Sequence, residues 1–567
     1  MSQTHPHADY PPHEQTDAMR IGASVLAAGL AASAAAWLAG ASTLLLTSFA
    51  SPATSPAQAA RIVVGLASHG GEPWLAWPAP DRARMSHDAI VWWLAALPGL
   101  VLFALVATTA VIVLRELVRD GDEADPRSAR PALRLLSVRP RAGRFPLGRR
   151  FGLQVSSGAE SHLLVIGPTG SGKTSACLIP ALLTHPGSAI VVSTKQDIRT
   201  RTLAKRRTIG RVIEWAPFDD EGEPWDLLAG CESWQGACRR SESLVHAARL
   251  DAESSTAQFW DTHTDRALAP YLLAARTANL PPSVVYGWVA SQRSDEPQRL
   301  LAQAEIPPDE RDAALLDLRT ATILSPDDRS SLAISIIRVL SPLRLPSLAR
   351  AVAGGFTPQA VCDRNQPATL YITIPDDEQR QLRAFVIALV EAAYRAAYNA
   401  GRHEPFDPPL LLLIDEAAHT APLRDLPEML QVARECGIRI ATSWQDASQI
   451  EHRYGRTQAQ SIISASQTRV ILPGCTDTRT LELARASMGE RERRLRDRHE
   501  RPPLDPRRLD GRMLVSHAHD AAFLLRPAPW YRSRAMRRLA NPFGPAAGEA
   551  TRPPRAHARG LLGRDSS

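Results

Sequence analysis

The sequence predicts an α/β fold: a parallel sheet covered on both faces, interrupted by an all-α insertion and preceded by two membrane-crossing helices. Three observations carry that expectation. After residue 150, short unbroken apolar runs alternate with helical patterns, the signature of buried parallel strands joined by crossover helices. Between about 230 and 349 the strand pattern disappears. Before residue 115, two long runs carry no charge.

Residues 1–18 read as an N-terminal tail and 19–115 as a two-helix membrane anchor with an outward loop at 51–88. Residues 21–50 and 89–114 are each uncharged, and each exceeds the ~20 residues a helix needs to cross the hydrocarbon core. A cleaved signal peptide is the competing reading of the first run, because small residues at 55–60 resemble a cleavage site. Signal h-regions are shorter, about 7–15 residues, and only Arg20 precedes the run as a basic residue. Ten arginines, from Arg115 to Arg150, crowd the far side of the second run, against Arg61, Arg82 and Arg84 in the loop. The positive-inside rule then places everything after 115 in the cytoplasm, so the expected location is the inner (plasma) membrane, multi-pass.

Residues 116–150 read as an Arg/Pro linker. Strands are expected at 162–166, 189–193, 211–215, 369–374, 410–414, 438–442, 468–472 and 522–525. They divide the nucleotide-binding domain into 151–230 and 350–535, with the all-α insertion at 231–349. One intervening helix is legible in detail: Asp376 or Asp377 as cap, an apolar stripe from Leu382 to Ala393, and Gly401 at its end. The alternating charges at 490–512 suggest a solvated helix and loop. Residues 536–567, rich in Pro, Gly and Arg, are expected to be a disordered tail.

Composition narrows the function classes. The chain of 567 residues is too apolar for wholesale disorder and has too few cysteines for a disulfide scaffold. Its six cysteines include no Cys-x-x-Cys pair and read as reduced packing thiols. Of 66 basic residues only Lys173, Lys195 and Lys205 are lysines. Four basic and six acidic residues precede position 115, so 62 basic and 53 acidic residues follow it. That surplus lies on the cytoplasmic side, but the arginine bias makes it weak evidence for nucleic acid on its own.

The motif Gly167-Pro168-Thr169-Gly170-Ser171-Gly172-Lys173-Thr174 fits G-x-x-x-x-G-K-[ST] and is followed by Ser175. Glycines let backbone N–H groups turn inward around phosphates, the lysine reaches the β/γ oxygens, and the Thr174 hydroxyl ligates Mg²⁺. In a chain with three lysines a chance match is rare, and a strand leads in while a helix leads out. ATP and Mg²⁺ are the implied ligands. A second element is the run 410–414 ending in Asp415-Glu416, where an α/β sheet presents ligand-binding groups. Asp415 would hold the Mg²⁺ shell and Glu416 would act as general base on the attacking water. Taken alone, such a pair is more often a helix cap; the phosphate loop reverses the odds. At the polar tip of the strand 438–442, Gln445 is the candidate γ-phosphate sensor. Arg434, before that strand, is a candidate for reaching a neighbouring subunit's phosphate, competing with a plain surface arginine.

On these residues the chain resembles type IV secretion coupling proteins, the TraG/TraD-like membrane ATPases of conjugation. The resemblance rests on the phosphate loop, on Lys195-Gln196-Asp197 after the strand 189–193, on Phe259-Trp260, and on Tyr371 to Pro375. Most of all it rests on the block 411–455, with Ile414-Asp415-Glu416-Ala417, Arg434-Glu435-Cys436-Gly437-Ile438, Trp444-Gln445 and Ser448-Gln449-Ile450. It implies a RecA-like P-loop NTPase that assembles as a homohexamer at the inner membrane and passes single- or double-stranded DNA, typically with a bound relaxase, to a type IV secretion channel. It also implies roles for Lys173 and Thr174 in nucleotide and Mg²⁺ binding, for Asp415 and Glu416 as the two carboxylates, for Gln445 as sensor and for Arg434 as an arginine finger in trans. Two departures, Ala417-Ala418-His419-Thr420 and Ser193-Thr194-Lys195 in place of Asp-Pro-Lys, blur the subfamily and are expected to leave catalysis untouched.

Other functions remain in view. A DNA-segregation translocase would usually add a C-terminal winged helix, for which 540–567 is short. A type VII secretion motor would usually carry further nucleotide domains, and one phosphate loop is present. A non-hydrolysing cargo receptor is the third alternative.

Overall fold

The structure, a computed structural model, describes residues 13–55, 59–121, 136–137, 143–150, 153–158, 160–219, 221–248, 255–375, 377–487, 511–518 and 522–542. The chain forms two compact units, Met1–Ala124 and Asp125–Ser567. The expected charged segment 490–512 lies almost wholly outside the described residues, as does the tail beyond 542.

In the first unit, α1 (His13–Ser48) packs against α3 (Ala89–Gly121), with α2 (Ala59–Ser68) between them in sequence. Close approach is set by small residues. A Cβ on Gly99 would lie 2.2 Å from the Leu38 carbonyl oxygen, and the Ser42 hydroxyl donates to the Ala95 carbonyl at 3.0 Å. The connecting loop is tied by the buried Asp81 carboxylate, which accepts from the backbone N–H groups of Ala53 (2.8 Å) and Thr54 (2.9 Å). Two spans were expected. Among the described residues, α1 alone has a stretch (Ala31–Ser48, mean hydropathy 1.3) long and apolar enough to cross a membrane. The apolar segment found in α3, Ala89–Leu105, is shorter.

The second unit is built on a nine-stranded sheet of order β12-β11-β10-β4-β9-β8-β5-β7-β6. Its strands are β4 (Leu163–Ile166), β5 (Ala189–Ser193), β6 (Arg211–Trp215), β7 (Ala368–Thr373), β8 (Leu410–Ile414), β9 (Ile438–Trp444), β10 (Thr468–Ile471), β11 (Met513–His517) and β12 (Phe523–Leu525). From β10 to β6 every pairing is parallel. Alternate residues face opposite cores: Leu410, Leu412 and Ile414 pack on one side, Leu411 and Leu413 on the other. Both faces are therefore buried, which explains why these strands read as continuous apolar runs.

Two features correct the expectation. The sheet is mixed, since β11 and β12 add antiparallel to its β10 edge. The linker expected to reach residue 150 instead contains β1 (Leu136–Ser137) and β2 (Pro146–Arg150), which pair antiparallel with β3 (Leu153–Ser156) in a small separate sheet. Charged and Gly/Pro-containing, β2 has no apolar run to betray it; Pro146 is tolerated as its first residue.

On the sheet, α4 (Ile179–Thr184) continues a π-turn at Lys173–Leu178, and α5 (Asp197–Arg207) follows β5. Between β6 and β7 the chain is helical: α6 (Trp234–Ala248), α7 (Ser255–Thr277), α8 (Pro282–Ala290), α9 (Asp295–Gln303), α10 (Pro308–Ile323), α11 (Pro326–Leu340) and α12 (Pro346–Ala351). The two ends of this insertion are stitched together. Trp225 N–H donates to Ala351 O (2.8 Å), Asp226 N–H to Phe356 O (3.0 Å) and Phe356 N–H to Pro224 O (2.9 Å). Arg240 of α6 fastens the module to the following long helix (Gln379–His403) and to its own entry turn, donating to the carbonyls of Ala388 (2.9 Å) and Ala229 (3.0 Å). Then come α13 (Gln379–His403), α14 (Ala417–Thr420), α15 (Leu426–Val432), α16 (Ala447–Ala465), α17 (Thr478–Ser487) and α18 (Arg534–Ala540). α13 begins two residues after Asp377, with Glu378 at its cap and no side-chain cap bond; Asp376 lies outside the described residues. α18 occupies the start of the expected tail.

Candidate nucleotide site

Four neighbouring parallel strands, β4, β9, β8 and β5, bring their carboxyl ends to one edge. The loop after β4 runs from Gly167 to Thr174. It needs left-handed backbone at Gly170 (φ 80°) and Gly172 (φ 97°), which glycine adopts without strain. A Cβ at Gly170 would meet nothing within 4 Å, so the exposed backbone there faces open space. Gly167 is the exception in kind: its Cβ would lie 2.6 Å from Ser171 Oγ, so the loop closes on itself at that point. Thr169 is exposed at the tip, beside half-buried Pro168. Ser175 Oγ reaches the Gly172 carbonyl at 3.4 Å.

Lys173 is buried and turned back onto its own loop, donating to the carbonyls of Gly167 (2.5 Å) and Pro168 (3.2 Å). Burial pulls its ammonium below the usual lysine range, against the opposing attraction of Asp415 and Glu416. The Ser171 hydroxyl is buried within the loop with no hydrogen-bond partner. An orphaned donor and a lysine satisfied only by loop carbonyls fit a site whose natural partner is an oxyanion.

Asp415 follows directly on β8, and its buried carboxylate is held on both oxygens. Thr174 Oγ1 donates to Oδ2 at 3.1 Å and Ser443 Oγ, from β9, donates to Oδ1 at 2.6 Å. Burial pushes its carboxyl above the usual aspartate range, with the Ser443 hydrogen bond opposing. A hydroxyl and a carboxylate in contact beside a phosphate-shaped loop match the oxygen donors that Mg²⁺ prefers. Among the described residues no group of three or more His, Cys, Asp or Glu side chains could hold a metal by itself.

Glu416 adopts a left-handed backbone (φ 51°, ψ 53°), uncommon for a residue with a Cβ. Neighbours hold it there. Its N–H donates to Ser443 Oγ (2.9 Å), and its carbonyl accepts from the N–H groups of His419 (2.9 Å) and Thr420 (3.0 Å) as α14 begins. Its side chain meets Lys195, whose Nζ lies 2.8 Å from Oε1. The lysine is the position that Ser193-Thr194-Lys195 shares with Asp-Pro-Lys; the departure itself is confined to Ser193 and Thr194. The lysine sits two residues before the Asp197 start of α5, just past the end of β5, the strand beside β8.

Gln445 follows β9, half-buried, with its N–H donating to Gln449 Oε1 at 3.1 Å. Arg434 is not brought to this edge. It is exposed, in the turn between α15 and β9, at the amino end of the strands, where its charge bears on His162.

Sequence reasoning missed Ser443 and Lys195. Ser443 is unremarkable in the chain; only the β8–β9 register, which sets Ile414 opposite Thr442, brings it to Asp415. Lys195 carried a signal in its rarity.

A family model described as Type IV secretory system Conjugative DNA transfer matches residues 132–500. VirD4 proteins of Rhizobium radiobacter and Agrobacterium fabrum (strain C58) are each 36% identical to it, over 72 and 74 residues, which is 12% and 13% of this chain. The matched stretch spans only 10% and 11% of those relatives. Among solved structures, the unbound bacterial conjugative coupling protein TrwBdeltaN70 aligns with a TM-score of 0.53 and 20% identity, over 69% of this chain and 91% of that one. TrwB in complex with ADP and Mg²⁺ aligns with a TM-score of 0.53 and 21% identity, over the same shares of each chain. The likeness is one of α/β NTPase fold.

Proposed function

The chain belongs to the type IV secretory system conjugative DNA transfer family, and from that premise we propose that it is a membrane-anchored ATPase. It would use ATP hydrolysis to recruit DNA, or a relaxase–DNA complex, and pass it into a type IV secretion channel. The observation that carries this reading is the convergence of Lys173, Thr174, Asp415, Ser443 and Glu416 at one sheet edge.

Each residue has a derivable task. Inward N–H groups of the loop from Gly167 to Ser175, with the Ser171 hydroxyl, bind the phosphates, and Lys173 exchanges its loop carbonyls for phosphate oxygens. Thr174 and Asp415 would hold Mg²⁺, which when bound neutralises phosphate charge. Ser443 keeps the Asp415 carboxylate aimed and fixes the Glu416 backbone. Glu416 accepts the proton of the attacking water, and Gln445 reads the terminal phosphate from the neighbouring strand end. Arg434, at the amino end of the strands and away from its own phosphate loop, would serve as a finger only in trans, to a neighbouring copy in a homohexamer.

The anchor reading draws on α3 as well as α1. Ile90, Leu94, Leu97, Val101 and Leu105 form an exposed apolar stripe at helical spacing, and Trp92, Ala95 and Ala96 are buried. Lipid would cover that stripe, giving two spans with the nucleotide-binding unit in the cytoplasm. The domain plan that goes with this is an anchor to about 115, a nucleotide-binding domain interrupted by the cargo-facing helical insertion, and a short C-terminal tail.

The test is ATP turnover by the full chain in detergent micelles, with and without single-stranded DNA. DNA should stimulate it. Lys173→Ala should abolish nucleotide binding and turnover, and Glu416→Gln should abolish turnover while ATP still binds. Turnover at wild-type rates in both variants would overturn the assignment.

A further inference from the structure

This chain avoids lysine almost completely, using 63 arginines for its other basic positions, yet two of its three lysines meet at the nucleotide site. Lys173 is accounted for by the phosphate loop. Lys195 is not. It leaves β5, the strand paired with β8 on the side away from β9, and its ammonium lies 2.8 Å from Glu416 Oε1. Its charge also stabilises the Asp415 carboxylate and repels the Lys173 ammonium, so it stands within electrostatic reach of the whole phosphate site.

The pair has the properties of a contact that must be broken. Lys195 is 42% exposed and Glu416 19%, so water competes for the ammonium end and the bridge holds weakly. A carboxylate engaged by an ammonium has lone pairs committed to it and is a poor acceptor for a water proton. A terminal phosphate carries more charge than one carboxylate and competes for the same ammonium. The residue type matters too. Arginine would grip Glu416 with a two-pronged planar fork, whereas lysine offers a single point charge on a flexible stem that can be handed over.

We propose that Lys195 is a positioning residue that holds the Glu416 carboxylate in the nucleotide-free site and yields to the terminal phosphate of an incoming nucleoside triphosphate. Glu416 is then released to face the attacking water. No bond is made or broken in the hand-over; one ion pair replaces another. The proposal rests on the nucleotide-site reading above and specifies how that site distinguishes triphosphate from diphosphate.

The experiment is equilibrium binding of ADPNP and of ADP to the full chain in detergent micelles. Lys195→Met should weaken ADPNP about tenfold and change ADP by less than about twofold, the terminal phosphate having lost a charge-assisted partner. Lys195→Gln should do the same; a loss with methionine alone would mark a packing effect and overturn the proposal. Glu416→Gln removes the competitor, so it should tighten ADPNP severalfold with Lys195 present and do nothing in the Lys195→Met background. If Lys195→Met keeps the wild-type ratio of ADPNP to ADP affinity, or Glu416→Gln acts equally in both backgrounds, the hand-over does not occur. Lys173→Ala separates the two failures. If it loses both nucleotides while Lys195→Met is neutral, only the hand-over falls; if it binds both like wild type, the nucleotide site falls and the hand-over with it.

Discussion

Ser443 does two jobs with one hydroxyl, donating to Asp415 Oδ1 and accepting from the Glu416 N–H. It is therefore the residue through which β9 fixes the Asp415 carboxylate and the Glu416 backbone at the end of β8. Groups that orient a metal-holding carboxylate without touching the metal typically contribute 10- to 100-fold. Ser443→Ala should lower ATP turnover by roughly 10- to 100-fold, with the nucleotide affinity conferred by Lys173 retained, and Ser443→Thr should restore most of it. Steady-state turnover beside ADP binding checks this. At this scale the sequence was legible wherever function is written in consecutive residues. The phosphate loop and Asp415-Glu416 are contiguous words. Ser443 and Lys195 are defined by register across strands, 28 and 220 residues away in the chain from Asp415, and no local pattern encodes that.

At the scale of elements, the buried strands declared themselves because both of their faces are covered, so nothing polar interrupts them. β2 and β11 stayed hidden for opposite physical reasons. β2 carries Gly148, Arg149 and Arg150 in a small sheet. β11 is apolar, but it follows a charged run and pairs antiparallel, outside the crossover rhythm. The amino-terminal edge of the large sheet yields a pH prediction. His162 leads into β4 and accepts from the Ile440 N–H of β9 at 3.0 Å; His185 Nε2 lies 3.1 Å from the Ser188 carbonyl oxygen at the entry to β5. Burial drops His162 from 6.5 to about 4, and burial with the nearby Arg206 drops His185 to about 3. Both rings are neutral when folded and take up protons on unfolding below 6.5. The stability this gives is complete above pH 6.5 and is lost as the pH falls towards 4 and 3. For His162 alone the shift corresponds to roughly 3 kcal/mol. The urea midpoint of the second unit, followed in the full chain, should fall between pH 6.5 and 4, and His162→Gln should flatten part of that slope.

At the scale of the whole molecule, the position of Arg434 sets the prediction. It lies across the sheet from its own phosphate loop, so any service to a nucleotide must go to another copy of the chain. Mixing full-length Arg434→Ala with wild type in detergent micelles should depress ATP turnover more steeply than the fraction of variant added. A strictly proportional fall would mean that each copy works alone. The seam between Trp225–Asp226 and Ala351–Phe356 has a consequence of a different sort. Because the helical module departs and returns through one short stretch of backbone pairing, it is topologically a cassette. Genetic exchange at that seam can replace the helices while leaving the nucleotide site and its strands as they were, so the two parts of the unit can evolve on separate schedules.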